Sequence, residues 1–142
     1  DDRDAGYKIK GKIMVKDTSN EIKFVKNAIG NWVSDHTEIE VMSADTLEVA
    51  TTEIDAYGDT VYCFIQKIDD TYKIGDDGHI LFKLDPGVTD TDLYQTAEEI
   101  ALGAGFEFDQ SSAEISVQTA KVDIAQAVEK LAQLQVAISY LE

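Results

Sequence analysis

Residues 59–84, DTVYCFIQKIDDTYKIGDDGHILFKL, decide the fold of this chain. Three apolar-rich runs alternate here with turn-forming residues, and this pattern predicts an antiparallel meander. The first run, Thr60–Ile68, is apolar on both faces, which is typical of a central strand. The second run, residues 72–74, and the third, His79–Leu84, flank Asp77-Gly78. That dipeptide favours a tight hairpin because both residues tolerate positive φ.

Hydrophobic periodicity predicts further elements on both sides of the meander. The first helix carries Trp32, which is expected to anchor the core, and the second is capped by Thr89 or Thr91. The predicted strands outside the meander are residues 7–15, 38–42, 47–54, 106–108 and 114–117. The predicted helices are residues 18–33, 90–102 and 120–141.

The last helix has the most regular pattern in the chain. Apolar residues recur at alternating spacings of four and three over residues 120–141. Either this stripe packs across the sheet, or two copies of the chain associate through it. The predicted self-association residues are Ile124, Leu131, Leu134 and Ile138.

Together these elements predict an α+β fold, an antiparallel sheet of about five to seven strands with helices over one face. A length of 142 residues with 44% hydrophobic residues predicts a single domain over residues 1–142. Residues 1–16 are either an N-terminal strand or an extension that is not native to the domain. No apolar run approaches the roughly 20 residues of a membrane span. The polar amino end and the lone Cys63 favour a cytoplasmic protein without disulfides.

Charge is the outstanding feature of the composition. The chain has 28 acidic and 12 basic residues, a net charge of −16. Residues 1–26 hold seven basic and five acidic residues, which leaves five basic and 23 acidic for residues 27–142. A surface this negative repels nucleic acid and anionic membranes and attracts basic proteins. We therefore expect a basic protein partner and no direct binding of nucleic acid.

The sequence contains no assembled catalytic motif. Its two histidines, His36 and His79, and its single cysteine do not supply a zinc site, and no serine lies in a nucleophile elbow. No glycine-rich phosphate loop is present either, so we predict no cofactor and no metal. One enzymatic alternative stays open, a carboxylate metal site formed by Asp59, Asp76 and Asp77.

The acidic turns and one exposed aromatic residue are the candidate contacts for a partner. Turn positions lie on the surface, where binding residues concentrate. The predicted partner-binding residues are Asp55, Tyr57, Asp59, Asp69, Asp70, Asp76 and Asp77.

The same stretch carries a family resemblance. Gly58-Asp59 precedes an aliphatic-aromatic strand, and residues 72–78, YKIGDDG, precede an aliphatic segment that ends at Leu84. From about residue 20 onward this resembles the bacterial and phage family known as domain of unknown function DUF1828. The chain departs from the family pattern in two places: Thr51-Thr52-Glu53 stands where a proline is usual, and the helix after Pro86 lacks an arginine. The resemblance implies a microbial or mobile-element origin and supplies no activity.

Three functional hypotheses follow. The first is an acidic, non-enzymatic binding protein, in its sharpest form a phage inhibitor of a nucleic-acid-binding defence enzyme, such as a CRISPR nuclease, that mimics nucleic-acid charge. The second is the carboxylate metal-dependent enzyme. The third is a structural or assembly protein that dimerises through its last helix.

Overall fold

The computed structural model describes residues 18–141. The chain divides into two compact units, residues 1–36 and residues 37–142, where the sequence predicted one domain. The strand predicted at residues 7–15 and the possible extension over residues 1–16 lie outside the described residues.

In the first unit, helix α1 spans Thr18–Asp35. The helix is confirmed, but the expectation that Trp32 anchors a core is wrong. None of the side chains of α1 is buried, and Trp32 is 54% exposed. Its indole ring stacks on the imidazole of His36, with the ring centroids 4.1 Å apart. The helical spacing of apolar residues correctly predicts a stripe on one side of α1. It does not determine which surface, if any, that stripe packs against.

The second unit is built on a six-stranded antiparallel sheet, as predicted. The strands are β1 (Glu38–Val41), β2 (Thr46–Ile54), β3 (Thr60–Ile68), β4 (Thr71–Gly75), β5 (Glu107–Phe108) and β6 (Ile115–Thr119). The strand order is β1-β2-β3-β4-β6-β5, so β3 and β4 are central and the remote β6 pairs beside β4. The pairing of β2 with β3 shifts in register between Ala50 and Ile54, near the end of β2.

The third run of the predicted meander is not a strand. It forms helix α2, His79–Leu84. Asp77 and Gly78 do adopt positive φ, 57° and 74°, as the turn signal requires. However, β6 already occupies the edge of β4 that a hairpin would use, and the backbone N–H groups of Gly78 and Ile80 donate to the buried Asp76 carboxylate. These bonds turn the chain into a helix.

The remaining helices match the predicted positions. Helix α3 spans Thr91–Gly103, and Asp90 caps it, rather than Thr89 or Thr91, by accepting a hydrogen bond from the Leu93 N–H at 3.0 Å. A 3₁₀ turn, Lys121–Asp123, leads into helix α4, Ile124–Ser139.

Helix α4 closes the core by packing across one face of the sheet. Its buried stripe faces the inward side chains of the strands, and α3 and α2 complete the layer. The fully buried large side chains are Ile74, Leu81, Ile115, Leu131, Ile138, Asp76 and Cys63. In the part of the chain that the structure describes, no helix is long and apolar enough to cross a membrane.

Candidate functional site

The seven predicted partner-binding residues do not form one surface. Asp69 and Asp70 form the β3–β4 turn, at the opposite end of β3 from the loop that holds Asp55, Tyr57 and Asp59. A nine-residue strand separates these ends by roughly 30 Å. One end of β3 therefore carries three of the predicted residues, and the other end carries two.

Asp55 is the centre of the β2–β3 loop. Its Oδ1 accepts hydrogen bonds from the backbone N–H groups of Tyr57 at 2.9 Å and Asp59 at 3.1 Å. Its Oδ2 lies 2.6 Å from Lys83 Nζ, which also lies 2.9 Å from Asp59 Oδ2. Burial acts to raise the pKa of Asp55, but the hydrogen bond from Lys83 and those from the backbone outweigh it, so the pKa lies below its usual value. The loop and α2 are thus joined by one cation between two carboxylates.

Tyr57 and Asp59 remain accessible in this loop. Tyr57 is 56% exposed, as predicted, and Lys83 Nζ lies 5.7 Å from the centre of its ring. The Asp59 side chain is 61% exposed. Asp55, by contrast, is 6% exposed, so it shapes the loop and offers little surface to a partner.

The prediction that Asp76 contacts a partner is wrong, because Asp76 is fully buried. Its Oδ1 accepts from the N–H groups of Gly78 and Ile115, both at 2.9 Å, and its Oδ2 accepts from the N–H of Ile80 at 3.3 Å. Burial raises the pKa of Asp76, and these three donors oppose that shift. The carboxylate therefore acts as a structural link between β4, β6 and the start of α2.

Asp77, next to it, points to solvent. Its side chain is 70% exposed, and its Oδ2 lies 3.7 Å from His79 Nε2. His79 in turn meets the Phe64 ring edge-on at 5.4 Å between centroids.

A metal site at Asp59, Asp76 and Asp77 finds no geometric support. Asp76 is occupied by backbone donors, and Asp59 is paired with Lys83. Among residues 18–141, no group of three or more His, Cys, Asp or Glu side chains is placed to hold a metal ion.

The residues predicted for self-association pack inside their own chain. Leu131, Leu134 and Ile138 are buried against the sheet, and Ile124 is partly buried at the edge of the same cluster. The packing alternative is the one observed. A second copy cannot reach the three buried side chains in the folded domain.

Cys63 is also buried beneath α4. Burial raises the pKa of its thiol to about 12, and the charges of Asp76 and Glu129 act in the same direction. A thiol in this environment is unreactive at neutral pH.

A cleft of about 540 Å³ lies between the start of β3 and helix α2. The cleft adjoins the β2–β3 loop, and Gln135 of α4 is one of the residues that line it. The lining residues are Asp55, Asp59, Thr60, Val61, Tyr62, His79, Ile80, Phe82, Lys83 and Gln135.

The face of the sheet opposite α4 carries a second acidic feature. Glu40 of β1 lies directly opposite Glu48 of β2 in the strand register. Neither carboxylate forms an ion pair with any residue in the described part of the chain. Like charges directly opposite each other destabilise a sheet, so this pair is an unneutralised anionic spot.

A known protein family matches the part of the chain that contains the cleft. The model of the family described as "Domain of unknown function DUF1828" matches residues 51–138. The chain belongs to the DUF1828 family. The match confirms the resemblance seen in the sequence, although it begins at residue 51 rather than near residue 20. Every residue that lines the cleft lies within the matched part of this DUF1828 protein. Searches of curated proteins and of solved structures give no significant match.

Of the ten residues that line the DUF1828 cleft, only Asp55 and Asp59 are predicted from the sequence as site residues. Lys83 and Gln135 are the most informative of the other eight. Lys83 was assigned to a strand, although it is one of only five basic residues after residue 36 and could have been weighed as a counterion for the acidic turns. Gln135 has no such signal, because it reaches the cleft only through the packing of α4 on β3.

Proposed function

We propose that this DUF1828 domain is a non-enzymatic protein-binding module for a basic partner. The observation that carries the proposal is its uncompensated charge. Residues 37–142 contain 22 acidic residues, five lysines and no arginine. Lys73 is paired with Glu114 at 2.7 Å, and Lys83 is shared by two aspartates. Among residues 37–141, most carboxylates therefore have no counterion within the described part of the chain.

The opposed pair Glu40 and Glu48 supports the same proposal. Repulsion across the β1–β2 ladder opposes folding, and an arginine or lysine of a partner that binds between the two carboxylates relieves it. A basic protein that normally binds nucleic acid carries lysine and arginine side chains that neutralise phosphates. The sharpest form of the proposal is thus an inhibitor, of phage or mobile-element type, that occupies the nucleic-acid surface of a defence enzyme.

The test is an affinity purification from bacterial lysate at about 0.1 M and about 1 M salt, because exposed charge contacts are largely screened at the higher concentration. The expected result is one basic nucleic-acid enzyme, identified by mass spectrometry, that is lost at high salt and displaced by duplex DNA. Retention of the partner at 1 M salt without competition by DNA would overturn the charge-mimic form. Recovery of no basic partner would overturn the proposal as a whole.

A matched pair of variants locates the surface. Glu40→Gln with Glu48→Gln is expected to weaken binding of the purified partner by about tenfold, the equivalent of about 1.4 kcal/mol. Glu99→Gln with Glu129→Gln removes the same charge from exposed positions on α3 and α4 and is expected to change the affinity much less.

A further inference from the structure

The first half of β3 has a strand neighbour on one side only. β4 pairs with β3 from Phe64 to Ile68 and then turns away at Gly75, so β3 residues 60–63 have no strand beside them in the direction of β4. The β3–α2 cleft described above occupies this space. Its volume of about 540 Å³ lies within the roughly 300–1,000 Å³ typical of binding sites.

The buried side chain of Gln135 makes one hydrogen bond that a neighbouring strand would otherwise make with β3. Gln135 is only 4% exposed, and its Nε2 donates to the Tyr62 carbonyl at 3.0 Å. The Val61 carbonyl points towards β2, where it accepts a hydrogen bond from the Thr51 hydroxyl. Because successive carbonyls of a strand point to opposite edges, the Tyr62 carbonyl faces away from β2. The Gln135 Oε1 acceptor has no partner among the described residues. A buried amide oxygen without a donor costs free energy, and it marks where the N–H of a ligand can bind.

The residues that line the cleft suit a ligand whose apolar side chain is flanked by cationic ones. Ile80 and Val61 form the buried floor of the cleft, while Phe82 at its rim is 67% exposed. Asp55, Asp59 and Lys83 all line the cleft, so two carboxylates share one lysine there and leave a net negative charge. Asp77 lies just outside the lining residues, 3.7 Å from the lining residue His79. The carboxylate side chains of Asp59 and Asp77 are both more than half exposed.

We propose that an extended basic segment of the partner binds in the β3–α2 cleft and adds a short strand to the open edge of β3. A backbone N–H of the segment donates to Gln135 Oε1, the acceptor left over from the hydrogen bond between Gln135 Nε2 and the Tyr62 carbonyl at the edge of β3. One apolar side chain packs against Ile80 and Phe82, and flanking lysine or arginine side chains meet Asp59 and Asp77. Strand addition supplies affinity through the main chain and specificity through alternate side chains. This proposal rests on the proposed function and names the site and recognition chemistry of the partner.

The probe is a phage-displayed library of random heptapeptides, selected on the folded full chain. The expected result is enrichment of sequences in which an apolar residue is flanked by lysine or arginine. A synthetic copy of the enriched peptide is then measured by fluorescence anisotropy, together with a copy whose central backbone nitrogen is methylated. Methylation removes a main-chain donor without changing any side chain, so strand addition requires that it weaken binding.

Two variants test the cleft, and one serves as the control. Phe82→Ser and Gln135→Leu are each expected to weaken peptide binding by about tenfold, within the range seen when an energetically important interface residue is truncated. Val122→Ser removes an apolar side chain that is 88% exposed and outside the cleft, and is expected to leave binding unchanged. Phe82 is exposed, so its replacement leaves the fold intact, and a thermal melt verifies this for each variant.

The outcomes separate the two proposals. Basic peptides that bind but are insensitive to Phe82→Ser, Gln135→Leu and methylation would overturn the cleft as the site and leave the acidic module standing. Enrichment of acidic or uncharged sequences would overturn the recognition chemistry proposed here. Failure to enrich any peptide would overturn the cleft as a peptide site, and the lysate experiment then decides the proposed function alone.

Discussion

Replacing Asp76 tests how the fold is held together at the start of α2. In Asp76→Ala, the backbone N–H groups of Gly78, Ile80 and Ile115 lose the carboxylate that accepts their hydrogen bonds, at a position that is fully buried. We expect the end of β4, the first turn of α2 and the edge of β6 to loosen together.

The magnitude follows from these contacts. A buried donor left unsatisfied costs about 1–3 kcal/mol, and two of the three bonds are short, at 2.9 Å, while the third is 3.3 Å long. Removing the buried negative charge offsets part of this loss, because burial raises the pKa of Asp76. The expected net decrease in the free energy of unfolding is about 2–5 kcal/mol at neutral pH.

The assay is equilibrium unfolding in urea, followed by far-ultraviolet circular dichroism. Asp76→Asn is expected to lose less than Asp76→Ala, because its Oδ1 still accepts from Gly78 and Ile115 and only the bond to Ile80 is lost. Asp77→Asn is the control; its side chain is 70% exposed, and asparagine tolerates the positive φ of this position. A decrease below about 0.5 kcal/mol for Asp76→Ala would refute the reasoning, because that is the range of neutral surface substitutions.

The pH dependence provides a second check on Asp76. Because its pKa is raised in the folded state, the native protein binds more protons than the unfolded chain above the ordinary carboxyl pKa. The contribution of Asp76 to stability is therefore greatest at low pH and is lost as the pH rises through the folded-state pKa. The stability difference between the wild type and Asp76→Asn is expected to shrink from about pH 4 towards pH 7. A difference that grows over this range would contradict the raised pKa.

Three further predictions concern the core and the loop. Leu131→Ala, at a fully buried position of α4, is expected to lower the free energy of unfolding by about 2–5 kcal/mol in urea; a cost under 1 kcal/mol would argue against packing of α4 on the sheet. Lys83→Gln is expected to raise the pKa of Asp55, so that loss of stability on acidification begins at higher pH; an unchanged pKa in an NMR titration would show that Lys83 does not hold it down. Cys63, with a thiol pKa of about 12, is expected to react with a thiol reagent only on unfolding; fast labelling of the native protein would contradict its burial.

Much of the fold was predictable because local pattern and tertiary environment agree. Thr60–Ile68 is apolar on both faces, and β3 is indeed an interior strand of the sheet, paired with β2 on one side and, over Phe64–Ile68, with β4 on the other. The heptad spacing of the last helix correctly predicted its buried stripe. It did not decide between a sheet and a second copy as the packing partner, because both present an apolar surface.

The error at His79–Leu84 has a specific physical cause. A short, continuous apolar run is compatible with a buried strand or a buried helix. The pairing of β6 with β4 and the hydrogen bond from Ile115 to Asp76, both distant in sequence, close off the strand alternative and bury the carboxylate. The local hydrogen bonds from Gly78 and Ile80 to that carboxylate then favour the helix. The same error hid Lys83, which as a helix residue reaches both Asp55 and Asp59.

The sequence by itself determined the α+β class, the family, the strong negative charge and the acidic loop beside Tyr57. These properties follow from composition and from periodicities of two and of three to four residues, which local windows contain. Only the tertiary structure decided that Asp76 is a buried link, that Lys83 joins Asp55 and Asp59, and that Gln135 reaches the edge of β3. Each of these depends on which segments become neighbours, and burial, ion pairing and pKa are set by neighbours rather than by position along the chain.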